Sequence, residues 1–191
     1  IGDKKIDLTE PFNKISYFEL LERETGYHLE DSSEAEIKNV CIEKGIEPKN
    51  PLNKGQLLDH LMSNLVEPKL IEPTFIIDYP KVISPLAKTH RGNRKNLVER
   101  FELFIGGSEF ANSFSELNDP IDQRKRFEEQ ARFKAEGDVE AQPIDRQFIE
   151  AMECGMPPTG GVGIGIDRLT MLLTENRWIK DVILFPILKS E

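Results

Sequence analysis

Cysteine is scarce in this 191-residue sequence: Cys41 and Cys154 stand far apart and outside any CxxC pair. That excludes a disulfide scaffold and a cysteine-based zinc site, and it fits a reducing, intracellular compartment. Long apolar runs are missing too. No stretch approaches the roughly 18 apolar residues of a membrane span, and no charged start leads into an apolar core as a secretory signal would. A cytoplasmic protein with no membrane partner is expected. The first residue is Ile1 rather than Met, which points to a piece of a longer product. Basic residues are in deficit, 25 Lys and Arg against 34 Asp and Glu, for a formal charge of -9. Nucleic-acid-binding modules normally carry a basic excess, so the docking surface for any polynucleotide substrate must lie elsewhere. What is present, 38% hydrophobic and 31% charged residues, suits one ordinary domain with a packed core.

Residues 1–72 read as a helical segment and 73–191 as a sheet-containing part of the same domain. Ser16 with Glu19, Ser33 with Glu36, and Asn53 with Gln56 have the spacing of reciprocal N-terminal caps. They predict helices closing at Gly26, ending near Gly45, and carrying Leu57, Leu58, Leu61 and Leu65 on one buried face. Pro48 and Pro51 mark a turn. After Pro73, Thr74 to Ile77 reads as a strand, Arg100 to Ile105 and Ser108 to Leu117 as two more, and Val182 to Phe185 as a closing one. Pro120 to Gly137, ended by Gly137-Asp138, and Ile144 to Cys154 read as helices, and a last helix runs from Asp167 to about Thr174. The charge run Asp122 to Arg132 reads as a solvated helix face, and Trp178 as the anchor of a helix–sheet contact. His28, His60 and His90 show no ligand spacing. Lys88, His90 and Arg91 lie in a basic loop that fits either phosphate contact or plain surface.

Gly106-Gly107 between two β-rich runs marks a two-residue hairpin. The pairing then sets Ile105 opposite Ser108, Phe104 opposite Glu109 and Leu103 opposite Phe110. Alternation puts Phe101, Leu103, Ile105 and Phe110 on the side expected to be core. Glu102 and Glu109 share the other side as diagonal neighbours, roughly 7–8 Å apart at the backbone. Two such carboxylates repel unless a cation or proton lies between them, and Mg²⁺ takes one or two carboxylates plus substrate phosphates. From spacing alone, a solvated sheet face fits equally well. Strict alternation would bury Glu116, which is costly. A β-bulge near Ala111 is therefore expected, placing Asn112, Phe114 and Glu116 beside Glu109.

Gly161, Gly163 and Gly165 recur at period two, leaving one strand face bare for a planar group while Val162, Ile164 and Ile166 fill the other. Asp167 is placed to cap the next helix, and Arg168 sits at its N-terminus, where an anion is favoured. Neither GxGxxG nor GxxxxGK[ST] is matched.

The segments Phe75 to Arg91 (FIIDYPKVISPLAKTHR), Arg100 to Gln130 (RFELFIGGSEFANSFSELNDPIDQRKRFEEQ) and Gly155 to Pro186 (GMPPTGGVGIGIDRLTMLLTENRWIKDVILFP) resemble the class II lysyl-tRNA synthetases. The resemblance implies an α+β catalytic fold, an antiparallel sheet flanked by helices. It implies activation of L-lysine with ATP to lysyl-adenylate and transfer to tRNA(Lys), in a full-length enzyme that is a homodimer. Position by position, it assigns Glu102 and Glu109 to Mg²⁺ and Arg168 to the ATP γ-phosphate. Gly163 and Gly165 fall under the nucleotide, Asn112 and Phe114 line the amino-acid pocket, and Glu116 receives the lysine ammonium.

Three parts of that family have no counterpart here: the first motif, which builds the dimer interface, the second, whose arginine holds the α-phosphate, and the N-terminal anticodon-binding barrel. Weak or absent adenylation by the chain alone is expected, with apolar area left exposed. The alternatives are a paralogue that lysylates an elongation factor and a non-catalytic synthetase-like module. Gly163 and the run Ser115-Glu116-Leu117-Asn118-Asp119 disfavour the first, since that group carries a bulkier residue and a HELTD-like run there. Aspartyl and asparaginyl synthetases need a cationic or amide reader where Glu116 stands.

Overall fold

The computed structural model describes residues 5–47, 53–92, 94–135 and 144–186. The turn expected at Pro48 and Pro51 and the stop at Gly137-Asp138 lie outside those residues. Three short helices open the chain: α1 (Tyr17–Thr25), α2 (Glu34–Glu43) and α3 (Lys54–Leu61). Their boundaries follow from local chemistry. Ser33 and Glu36 form a reciprocal cap, as do Asn53 and Gln56. At α1 only half the motif forms: the Ser16 hydroxyl accepts from the Glu19 amide, while the Glu19 carboxylate pairs with Arg23 instead. Gly26 closes α1 at φ 80, a left-handed conformation that glycine adopts without a Cβ clash. Helix α3 continues into a wider π turn at Met62–Val66.

A five-stranded sheet runs β1 (Asn13–Ser16), β2 (Thr74–Ile77), β3 (Arg100–Ile105), β4 (Ser108–Ser115) and β5 (Gly160–Ile164) in spatial order. Only β1 and β2 are parallel. Strand β1 was not foreseen in the helical first segment: it is four residues long, and its partner lies far along the chain. The remaining helices are α4 (Pro120–Ala135), α5 (Arg146–Glu153) and α6 (Ile166–Leu173). No helix among the described residues is long and apolar enough to cross a membrane.

The main core gathers Leu21, Ile37, Leu57, Leu58 and Leu61 from the helices with Ile76, Tyr79 and Phe104 from the sheet side. Ile76 pairs with Glu102, and Phe104 lies two residues on, so the helical layer packs on the sheet face that carries Glu102. This corrects the expected polarity of the sheet. Ile105 and Phe110 are buried, but Phe101 and Leu103 are only half-buried, with Phe101 edge-on to Phe75. Alternation sorts residues into faces; which face becomes core depends on what packs there.

Three further expectations fail toward the chain's end. Val182 to Phe185 forms no strand: a short 3₁₀ turn at Ile179–Asp181 precedes it, and Leu184 is 88% exposed. A strand exists only through a ladder partner, and no described strand pairs there. Trp178 is 64% exposed, so it is not the buried anchor of a helix–sheet contact. Helix α6 starts at Ile166 with Gly165 as its cap, so Asp167 lies inside the first turn rather than capping it.

Candidate active site

The hairpin forms with Ile105 opposite Ser108 and Phe104 opposite Glu109, and then the register slips. Leu103 pairs with Ala111, not Phe110, so Phe110 is the extra residue of a bulge one position before Ala111. Beyond it, Glu102 faces Asn112 and Arg100 faces Phe114. Glu109, opposite Phe104, lies on the same face as Glu102. The bulge thus makes both carboxylates, Asn112 and Phe114 share one side of the sheet.

Strand β5 continues this surface. Asn112 pairs with Gly163 and Phe114 with Gly161, while Val162 and Ile164 point to the opposite side, 65% and 55% exposed. Glu102, Asn112 and Gly163 form one continuous row across three strands. Gly165 donates its amide to the Phe110 carbonyl at 2.9 Å, which ties the start of α6 to the bulge. From the first turn of α6, Arg168 hydrogen-bonds the Glu109 carbonyl, and its guanidinium lies 4.0 Å from the Glu109 carboxylate.

Glu102 is held hardest. It is 9% exposed; Arg100 bonds one carboxylate oxygen and the Tyr79 hydroxyl donates to the other at 2.7 Å. Arg100 also donates to the Asn112 side-chain oxygen at 3.2 Å and sits 4.7 Å from the Tyr79 ring centroid. Arg100 and Tyr79 were missed by the sequence argument. The signal available was strand parity: Arg100 is two residues before Glu102.

Burial raises the Glu109 carboxyl above its ordinary value of 4.5, and the neighbouring Glu102 charge adds to this, while Arg168 and Arg100 oppose it. Burial likewise raises Glu67, with Asp59, Glu102 and Glu109 contributing. Two acids on one face, each retaining acceptor capacity, fit a hard cation that completes its shell with phosphate and water. Among the described residues no group of three His, Cys, Asp or Glu side chains gathers to hold a metal unaided.

Glu116 lies just past β4, bridged to Ala87, with its amide donating to the Thr159 carbonyl at 3.0 Å. Its carboxylate has no hydrogen-bond partner among the described residues, and burial alone raises its pKa. Gly161 makes the space: a Cβ there would run into the Glu116 carboxylate. That role for Gly161 was not read from the glycine spacing. The basic loop, by contrast, is engaged with the protein itself, Lys88 with Asn118 and Arg91 with Glu99.

A mostly antiparallel sheet flanked by helices, with paired acids, a glycine strand and a helix-borne arginine brought together, is consistent with the class II synthetase fold. The chain belongs to the class II tRNA synthetases (D, K and N), whose family description matches residues 2–189. Among curated relatives it is 49% identical over 191 residues to a lysine-tRNA ligase of Porphyromonas gingivalis, covering 100% of this chain and 33% of that protein. It is 52% identical over 187 residues to the lysine-tRNA ligase of Gloeobacter violaceus, covering 97% of this chain and 37% of that one. A third, from Azobacteroides pseudotrichonymphae, is 48% identical over 191 residues, with 38% of its length covered. The chain spans between 33% and 38% of the length of these relatives.

Proposed function

We propose that this chain is the lysine- and ATP-facing part of a lysine-tRNA ligase, which forms lysyl-adenylate and passes the lysyl group to tRNA(Lys) within a full-length homodimer. The observation that supports it best is Glu116: a partly buried carboxylate, free of hydrogen-bond partners among the described residues, over a glycine whose side chain would collide with it. An acid so placed gains most from a cationic ligand, and a lysine ammonium supplies one. Asn112 and Phe114 stand two residues apart on the same face of β4 and line the amino-acid pocket.

Activation requires the ionised lysine carboxylate to attack the α-phosphorus of ATP and expel pyrophosphate, so no general base is needed. Glu102 and Glu109 would hold Mg²⁺, which would supply neutralisation of phosphate charge there. Arg168 projects from the first turn of α6 and grips the γ-phosphate, adding fixed positive charge where the leaving group develops. Gly163 and Gly165 keep the β5 surface bare for the nucleotide.

The test is lysine-dependent pyrophosphate exchange by the intact protein. Glu116→Gln is expected to raise KM for lysine by about 100-fold, with KM for ATP little changed. An unaltered KM for lysine would overturn the assignment. The isolated 191-residue chain is expected to give no exchange, because the second-motif arginine has no counterpart in it and Val162, Ile164, Ile166 and Leu173 stand exposed along its β5–α6 edge.

A further inference from the structure

Helix α4 holds a charge that its sequence disguises. Arg126 lies within the run expected to be a solvated face, yet it is 5% exposed, and Gln123, one turn earlier, is 0% exposed. Burying a guanidinium is costly unless every donor is matched. Here every donor is. Nε and Nη2 grip the two oxygens of Asp122 at 3.3 and 2.8 Å. Nη1 donates to the backbone carbonyls of Ser84 and Ala87 at 3.3 and 2.7 Å, and Nη2 also reaches the Thr89 hydroxyl at 2.9 Å. Gln123 adds a bond from its amide to the Pro85 carbonyl at 3.0 Å. Two side chains of α4 therefore fix the segment 84–89, which has no helix or strand of its own to stiffen it.

That segment touches the candidate site at both ends. At one end the Ser84 hydroxyl accepts from Arg100 at 2.9 Å, and the neighbouring Ile83 carbonyl accepts from the same guanidinium nitrogen at 3.2 Å. Arg100 in turn grips Glu102 and Asn112. At the other end Ala87 bridges Glu116, the Lys88 amide donates to Ser115 at 2.7 Å, and the Leu117 amide donates to Leu86 at 2.9 Å. The backbone that carries Glu116 has left the β4 ladder by then, so these bonds, with that from Glu116 to Thr159, set where its carboxylate stands.

We infer that Arg126 is a positioning residue for the amino-acid pocket: through the segment 84–89 it fixes Glu116 at one end and the Arg100–Glu102 pair at the other. It touches none of the residues assigned to lysine, nucleotide or metal. Lysine is a poor substitute, because a point ammonium with three donors cannot span Asp122, two carbonyls and Thr89 at once.

The experiment compares Arg126→Lys with the unaltered intact protein by two readouts. The first is amide hydrogen exchange. The Lys88 and Leu117 amides are expected to exchange about tenfold faster, while Ile37 and Leu57 in the helical core keep their rates. Equal acceleration at all four sites, or none at Lys88 and Leu117, would show a merely structural role or none and would overturn the inference. The second readout rests on the function proposed above: KM for lysine in pyrophosphate exchange is expected to rise about tenfold, with a smaller change in kcat. An unchanged KM in a folded variant overturns the inference too. Absence of lysine-dependent exchange in the unaltered protein would instead sink the proposed function, and the amide rates would still decide the role of Arg126. Should Arg126→Lys fail to fold, Thr89→Val removes only the hydroxyl acceptor, and the same two readouts apply to it.

Discussion

The two ends of the chain are built to different standards. In the helical layer, Leu21, Leu57, Leu58 and Leu61 are fully buried, and two of the three helices open with complete reciprocal caps. From Gly160 onward, no residue of β5 or α6 is buried, and Val162, Ile166, Leu173, Leu184 and Phe185 face solvent. Yet β5 and α6 carry Gly163, Gly165 and Arg168. The lesson is that the glycine and arginine part of the candidate site stands apart from the packed core, whereas Glu102 lies on the core-facing side of the sheet. The helical layer packs against the sheet, whereas the glycine strand and its helix present an apolar surface that no described residue buries.

The sharpest way to break that contrast is to cut the same side chain in both places. Leu57→Ala, at full burial, is expected to cost about 2–5 kcal/mol through lost contacts and a residual cavity. Leu184→Ala, at 88% exposure, should stay within about 0.5 kcal/mol of neutral. Denaturant unfolding of the two variants checks this, and comparable losses would mean that the terminal segment is packed after all.

A smaller effect is expected inside the glycine strand itself. Gly161→Ala sets a methyl group against the Glu116 carboxylate, whereas Gly160→Ala meets nothing within 4 Å. The carboxylate, the far end of a flexible side chain, must then swing aside, a displacement that costs little stability but moves the group proposed to meet lysine. It should appear as roughly tenfold or more weaker lysine binding for Gly161→Ala and none for Gly160→Ala. Equal effects would mean that the bare face of β5 does not serve the pocket.

How much of this was legible beforehand follows the range of each interaction. The caps at Ser33 and Asn53, the Gly106-Gly107 hairpin and the close of α1 at Gly26 depend on residues within a few positions, and they read correctly. The bulge was expected from a conflict between parity and the cost of burying Glu116, and one inserted residue, Phe110, is found there, although the face it turns those residues toward is the one on which the helical layer packs. Strand β1 was not, since four mostly polar residues become a strand only by pairing with Thr74 to Ile77. The polarity of the sheet was misjudged for the same reason: Phe101 and Glu102 alternate whichever face the helices choose. Arg126 failed because a buried, fully paired arginine and a solvated one look identical in a charged run. Glu102, Glu109, Asn112 and Phe114 share one face because of the bulge, not of alternation alone; their partner Arg100 was readable from parity, whereas Tyr79 emerges only once the chain beyond β2 is laid beside Glu102.

The finest test of the contrast is whether the candidate site weakens the fold that carries it. The Glu109 carboxyl is raised above 4.5 chiefly by burial, then by Glu102. An acid whose folded pKa exceeds its unfolded value leaves the native state holding more protons in the interval between the two. Stability therefore falls as pH rises from about 4.5 through the raised value, and then levels off. Glu109→Gln removes that penalty, so the variant should match the parent protein near pH 4 and melt higher at pH 7. The gain is expected to be small, because the Glu109 side chain is 41% exposed and Arg168 stands nearby. Melting temperatures at the two pH values, with Mg²⁺ omitted, give the comparison. A difference that stays constant with pH would mean that Glu109 is not strained in the native state and the paired acids cost the sheet nothing. A difference that opens only above pH 4.5 would show the helical layer holding together a sheet face that repels itself until a cation arrives.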